Sequence, residues 1–307
     1  MTKWPSREIE KQRLMKAMAT HSAMVRTLPG VASAAALETL AMQFIASLRR
    51  EDYYSKVQEK PVSASRADPN SPMFDAERAV AHHMQNGDVE EAAWLVFLMT
   101  HFARPANSGW LRLKDVYGKL GQGVWTWKIV APNPKAFSDW VYANAGSIRG
   151  KFGNHRKYES LEKGTKREFS LVLKTYLDVV GKSHKMFFAK SVRDAGNDPS
   201  VIFDHLYRQL DAIYSFGRLA KFDYLALIGR YRIAPITPGS AYLPGATGPA
   251  SGVRLLFLGQ PKGTATLKQL QVWLNELDAT LSVGMSVMED ALCNWQKSPT
   301  SFKHFKG

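Results

Sequence analysis

Residues 88–102 read DVEEAAWLVFLMTHF, and this stretch decides the fold class. From Ala92 to Met99 every position is apolar, so a helix formed here has no polar face to turn toward water. Such a helix belongs at the centre of a helical core. Asp88 and Glu91 ahead of it make a capping-box pattern, which satisfies the first backbone N–H groups of a helix. His101 and Arg104 follow, so polar groups emerge from the core at the C-terminal end. Taken alone, His101 reads as a structural histidine.

Upstream, Leu40, Phe44, Ile45 and Leu48 recur at helical spacing and predict an amphipathic helix ending in the basic pair Arg49 and Arg50. Before it, residues 28–31 (LPGV) look like the turn of a helix-hairpin-helix whose second glycine is missing. Residues 61–72 form a polar loop, and a helix is expected from Asp75 to near Gly87. Downstream, residues 110–140 read as short helices and loops rich in aromatics. Thr165 and Glu168 suggest a capping box that opens a helix running to Gly181. Asp198 and Pro199 open the next, with the proline at the tolerated first position. That helix is expected to run to Tyr214 and to stop at Gly217 with a left-handed cap. Residues 234–252 read as one long loop, followed by a short strand or buried turn at 255–258. Two helices broken near Gly284 close the chain. Strand-like alternation is nearly absent, so the fold class is mainly α with few or no strands. No linker stands out: residues 1–307 are expected to form one integrated helical domain, its lobes at 1–150 and 151–307.

With 41 Lys and Arg against 27 Asp and Glu, the chain carries a net charge of +14. The cations are spread along its length, so a folded basic surface facing a polyanion is expected, nucleic acid ahead of membrane. One cysteine, Cys293, excludes an internal disulfide and a multi-cysteine zinc site. No metal-ligand spacing, nucleophile elbow, Walker A loop or dinucleotide fingerprint is present. No metal and no cofactor are therefore expected. The N-terminus is charged throughout and no uncharged apolar run reaches spanning length, so a cytoplasmic location off the membrane is expected.

Two polar stretches fit no amphipathic period. Residues 152–160 (FGNHRKYES) set His155, Arg156, Lys157 and Tyr158 in a row, offering cations, an imidazole and an aromatic that can stack on a base. Residues 214–223 (YSFGRLAKFD) open a helix with Arg218 and Lys221 on one side and Asp223 displaced around the axis. Cations near the N–H groups of a helix start suit a phosphate, and a carboxylate beside them suits proton transfer. Thr247 and Gly248, with the glycines at 245 and 252, offer backbone N–H groups to an anion.

The stretches FGNHRKYESL, SFGRLAKFDYL, YLPGATGP followed by GVRLLF, and MEDALCNWQKSP resemble the α-glutamyl/putrescinyl-thymine pyrophosphorylase family, in particular its third clade. WLVFLMTHF and LAMQFIASLRR fit the same pattern, so the resemblance covers about residues 37–299. It implies an all-helical fold like that of DNA glycosylases and a role in thymidine hypermodification, mostly in bacteriophages, where altered thymine serves restriction evasion. The implied enzyme is a transferase acting on double-stranded DNA whose 5-hydroxymethyluracil an upstream kinase has phosphorylated. It replaces the phosphate or pyrophosphate with the amine of an amino acid, such as glycine or glutamate, or of a polyamine. For a phage-encoded protein the location is the host cytoplasm. The alternatives are a glycosylase-like enzyme that excises a modified base and a non-catalytic DNA-binding protein.

This chemistry needs a proton acceptor for the amine, for which Asp223 and His155 are the candidates, and cations for the departing phosphate. Arg156, Lys157, Arg218 and Lys221, with Thr247 and Gly248, are the expected phosphate contacts. Glu289 is expected to grip the incoming ammonium, and Arg49, Arg50, Arg104 and Tyr158 to meet DNA. Residues 245–252 are expected to wall the pocket.

Overall fold

The computed structural model describes residues 3–305. It is 64% helical, with fifteen α-helices, and the described residues contain one isolated parallel bridge, between Ser160 and Glu168. The fold is mainly α. Contacts sort the described residues into two units, the first taking in those up to Tyr53 and from Pro238 onward, the second Tyr54–Thr237.

Two helices open the first unit, α1 (Glu8–Met24) and α2 (Ala34–Glu59), and the boundary at Tyr53 falls inside α2. The LPGV stretch between them holds a 3₁₀ turn, Pro29–Val31. Gly30 is required there because a β-carbon would collide with the backbone carbonyl oxygen of Leu255.

The second unit follows with α3 (Ala64–Ala67), α4 (Ala76–Gln85), α5 (Val89–Phe102), α6 (Leu111–Tyr117), α7 (Trp127–Val130) and α8 (Pro134–Ala143). It continues with α9 (Phe169–Val180), α10 (His184–Ala195), α11 (Pro199–Gln209) and α12 (Arg218–Arg230). As its all-apolar sequence predicts, α5 is the central helix, buried at every position from Glu91 to Phe102. Phe97 stacks on Trp94 at 5.4 Å and on Tyr176 of α9 at 3.9 Å between ring centroids.

The start of α5 is capped differently from the expected box. Asp88 does accept from the Glu91 backbone N–H at 3.1 Å. The Glu91 carboxylate, however, turns inward to accept from the Tyr117 hydroxyl at 2.6 Å and the Trp127 N–H at 2.8 Å. Those two buried donors would otherwise be left unpaired. Its neighbour Glu90 accepts from the Ser183 hydroxyl at 2.6 Å, the His184 N–H at 2.7 Å and the His184 Nδ1 at 3.1 Å. Burial alone would raise the Glu90 pKa, but the donors from the His184 ring and Ser183 outweigh it and hold it at about 2. His184 Nε2 in turn accepts from Tyr176, whose hydroxyl lies 3.0 Å from that of Tyr224. This buried chain of hydrogen bonds ties α5, α9, α10 and α12 together.

Four helix ends differ from expectation, the first that of α2, which runs past Arg49 and Arg50 to Glu59. At α9 the Thr165–Glu168 box does not form: Glu168 is itself the N-cap, and its carboxylate accepts from the Gly164 N–H and the Ser170 hydroxyl. The helix before residues 214–223 stops at Gln209, followed by a 3₁₀ turn Leu210–Ala212. Gly217 is not a left-handed C-cap but the extended N-cap of α12, and the left-handed residue is Ser215, at φ 62°.

The chain then returns to the first unit with α13 (Thr247–Leu258), α14 (Leu267–Leu281) and α15 (Met285–Trp295). The long loop therefore ends at Ala246, and residues 255–258 are helical, neither strand nor turn. Gly248 and Gly252, one turn apart on α13, let it approach α15. A β-carbon on Gly248 would lie 2.6 Å from the Cys293 Sγ, and one on Gly252 would meet the Leu292 carbonyl oxygen. Leu14, Met18, Phe44, Val253, Leu274 and Trp295 are among the residues of the core these five helices share.

Candidate functional site

In the second unit the structure brings the two unexplained polar stretches together. Residues 152–160 follow α8 and come back to the end of α5, where the Gly153 N–H donates to the Phe102 carbonyl at 2.8 Å, and they contain a 3₁₀ turn, Asn154–Arg156. That turn puts Arg156 inside the protein at 7% exposure. Its Nη1 donates to the Ser215 carbonyl at 2.8 Å, its Nε to the His101 carbonyl at 3.4 Å and its Nη2 to the His101 Nδ1 at 3.4 Å. The guanidinium also lies 5.5 Å from the Phe216 ring centroid. Arg156 thus pins the end of α5 to the turn that starts α12.

The counter-charge comes from Glu159, three residues on. Its side chain is 1% exposed, and Oε1 lies 3.5 Å from Arg156 Nη2 and 3.0 Å from Arg167 Nη1. The same oxygen accepts from the Ser215 hydroxyl at 2.6 Å. Burial pulls the Arg156 pKa down and the Arg167 charge adds to that, while Glu159 and the Asp223 carboxylate favour the cation. Asp223, half-buried on α12, is therefore an electrostatic neighbour of Arg156.

His101 is fully buried with its ring against Phe97, Phe102, Phe152 and Phe169. Burial, and then Arg156, hold its pKa well below the usual imidazole range, so it is neutral. With Nδ1 accepting from Arg156, the proton sits on Nε2. It is a structural histidine that supports the arginine.

On the other side of α12, Lys221 is buried, paired with Asp211 and 4.0 Å from the Tyr207 ring centroid. The Arg218 guanidinium lies 4.7 Å from the Phe222 ring centroid. Tyr207 is pushed up to about 12 by burial, with Arg218 opposing and Asp211 adding to the rise. Arg218 and Lys221 therefore share one side of the helix start with Tyr207 and Asp211, while Asp223 bears on Arg156. His155, Lys157 and Tyr158 are exposed beside Arg156, with the Lys157 ammonium 5.1 Å from the Tyr158 ring centroid. Arg104 pairs with Glu77 at 3.3 Å and lies 5.8 Å from the Trp110 ring centroid.

Five expected residues belong to the first unit: Arg49, Arg50, Thr247, Gly248 and Glu289. Thr247 and Gly248 are the first two residues of α13. Glu289 is buried on α15. Arg49 is exposed, its guanidinium 4.9 Å from the Trp4 ring centroid, and Arg50 pairs with Asp290 at 2.5 Å. Asp290 also accepts from Ser47 and, at 3.0 Å, from Asn294.

Sequence reasoning missed Glu159, Arg167 and Ser215, which organise the cluster. Glu159 stood inside the quoted stretch at i+3 from Arg156, the one carboxylate in a cationic row, and that was the available signal. Nothing local marks Arg167. Among the described residues no group of three or more His, Cys, Asp or Glu side chains is placed to hold a metal ion. No helix among the described residues is long and apolar enough to cross a membrane.

No curated protein and no solved structure matches the chain significantly. One family model does, alpha-glutamyl/putrescinyl thymine pyrophosphorylase clade 3, over residues 35–307. That span contains both polar stretches and every candidate residue named above, and the chain belongs to this family of thymine-modifying enzymes.

Proposed function

We propose that the protein is a DNA-modifying transferase that exchanges the phosphate or pyrophosphate on a 5-hydroxymethyluracil base for the amine of an amino acid or polyamine. The observation that carries this reading is the meeting of residues 152–160 with the start of α12 at one cationic cluster, in a chain of this family. In the reaction the amine nitrogen forms a bond to the base's methylene carbon as the C–O bond to phosphate breaks. The electron pair leaves with the phosphate, and the proton released from nitrogen passes to Asp223 or His155. Asp223 is the better placed of the two for coupling to the site, because on α12 it is an electrostatic neighbour of Arg156. Arg218 and Lys157 are the cations proposed for the departing phosphate, where charge accumulates. Arg156, its hydrogen bonds directed inward, shapes the site and contributes its field. The base has to leave the stack to reach such a cluster, which the basic surface and Tyr158 would support.

The test is nucleoside mass spectrometry on DNA bearing 5-phosphomethyl- or 5-pyrophosphomethyl-deoxyuridine, incubated with the protein and a pool of amino acids and polyamines. An N-linked thymine derivative is expected. Alkali-labile abasic sites would point to base excision instead, and binding without any new nucleoside would leave a DNA-binding protein. Asp223→Asn is expected to abolish transfer while DNA affinity stays within about twofold; full activity in that variant would pass the proton to His155.

A further inference from the structure

Arg167 belongs to neither polar stretch, yet the fold delivers it to them. The Ser160 N–H donates to the Arg167 carbonyl at 3.1 Å, beside the Ser160–Glu168 bridge, so the intervening loop closes with Arg167 next to Glu159. Its Nη1 donates to Glu159 Oε1 at 3.0 Å and to the Ser215 hydroxyl at 3.1 Å, and Ser215 itself donates to Glu159. Three side chains thereby form a closed triangle. The carboxylate at its base is buried, and Ser215 is held in a left-handed backbone conformation that a serine rarely adopts. The guanidinium plane is therefore fixed before any ligand arrives.

What that plane presents outward is its other edge. Arg167 is 47% exposed, and its Nε and Nη2 have no hydrogen-bond partner among the described residues. An Arg edge of two parallel N–H groups matches two oxygens of a phosphate. Beside it stands Tyr158, 69% exposed, with the Arg167 Cζ at 5.9 Å and the Lys157 Nζ at 5.1 Å from its ring centroid. A large aromatic left that open between two cations is the pairing that single nucleotides select: a face for the base and positive charge for the backbone.

We propose that Arg167 and Tyr158 together hold one nucleotide of a DNA strand, Arg167 taking a backbone phosphate and Tyr158 stacking on the base. The assignment rests on the DNA reading of the neighbouring site, and it gives that site a strand contact lying outside the group-transfer machinery. Glu159 and Ser215 are positioning residues for Arg167 and touch no ligand.

The experiment is fluorescence anisotropy with an unmodified 20-base-pair duplex and the same sequence single-stranded, across a salt series, for the whole protein. Arg167→Ala is expected to weaken binding about 5- to 10-fold and to reduce the magnitude of the log–log salt slope by about 0.9, one phosphate's worth of released counterion. Arg167→Lys should restore the slope and recover only part of the affinity, since the charge returns without the fork. Tyr158→Ala should weaken binding about 5-fold with the slope unchanged, because stacking releases no counterion. Lys190→Ala, a surface lysine paired with Asp194 on α10, is the charge-loss control and should leave binding unchanged. Wild-type protein that binds DNA while Arg167→Ala and Tyr158→Ala bind equally well would overturn the strand contact alone. A wild type with no DNA affinity would overturn the DNA reading along with it. Inorganic pyrophosphate supplies the third arm: if Arg167→Ala loses pyrophosphate affinity and keeps that for DNA, Arg167 serves the departing group and the strand contact falls.

Discussion

At the scale of single residues, Glu91 shows how burial and function part company. Two donors on a carboxylate ordinarily favour its ionised form, yet burial in α5 outweighs the Tyr117 and Trp127 hydrogen bonds, and nearby Asp88 adds to it. The pKa is pushed up to about 7. The sign of the consequence follows from linkage. A carboxyl whose folded pKa lies above its unfolded one binds protons better when folded, so its stabilising contribution is full below about pH 4.5 and is lost as pH rises through about 7. The size is on the order of 3 kcal/mol. Urea unfolding of wild type and Glu91→Gln from pH 4.5 to 8 isolates this, because every other titrating group is common to both. The difference in stability should move toward the variant by roughly that amount. A pH-independent difference would mean that Glu91 ionises in the ordinary range. The Arg156–Glu159 pair follows the opposite logic: neither charge is exposed, and each is kept by the other and by Ser215. Removing one member of such a pair leaves the other buried without compensation.

At the scale of elements, the α13–α15 contact tests how closely two helices approach through glycine. Gly248 faces a side-chain sulfur and Gly252 a backbone carbonyl, so the two positions should respond differently to a methyl group. Gly248→Ala should destabilise by about 1–2 kcal/mol, and Cys293→Ala in the same chain should recover most of that by vacating the space. Gly252→Ala should cost about 2–3 kcal/mol with no recovery from Cys293→Ala, because a helix carbonyl cannot rotate away. Chemical denaturation of the five proteins decides it, and equal rescue at both positions would show that the helices simply slide apart. The same helices mark what the sequence could and could not convey. The all-apolar run of α5 forces a central helix whatever surrounds it, and Asp75 and Asp198 cap their helices as read. The glycines of residues 245–252 looked like a loop because helix-packing glycines and loop glycines have the same composition; only the partner helix tells them apart. Gly217 misled in the same way. Its role as terminator depended on the preceding residues being helical up to Tyr214, whereas α11 stops at Gln209 and the turn is held from afar by Glu159 and Arg156 acting on Ser215. The two polar stretches were legible as a candidate site because nothing amphipathic explained them, but Arg167 was not, since its place depends on a single backbone bridge.

At the scale of the whole molecule, no shift of composition marks the joins at Tyr53 and Pro238, because the first unit is assembled from both ends of the chain. The family match begins at residue 35, after α1, although α1 supplies Leu14 and Met18 to that unit's core. The net charge of +14 is likewise a property of the entire chain, since Lys and Arg occur in both units. Many of those cations already have partners within the protein, such as Lys11 with Glu38, Arg26 with Glu276 and Lys174 with Asp178. Partnered surface cations contribute little to a specific contact but still add to the long-range field, which salt screens with a Debye length of about 8 Å at physiological strength. If the field serves DNA, duplex affinity measured from 50 to 200 mM salt should fall linearly on logarithmic axes. A slope near −4 to −6 would correspond to roughly four to seven phosphates neutralised at about 0.9 each. Affinity for duplex bearing the phosphorylated base should exceed that for plain duplex by a factor that varies with salt much less than either affinity, because both share the backbone contacts. A flat salt response would assign the charge to solubility alone, and a preference for modified DNA that vanished with salt would reduce base recognition to one extra phosphate charge.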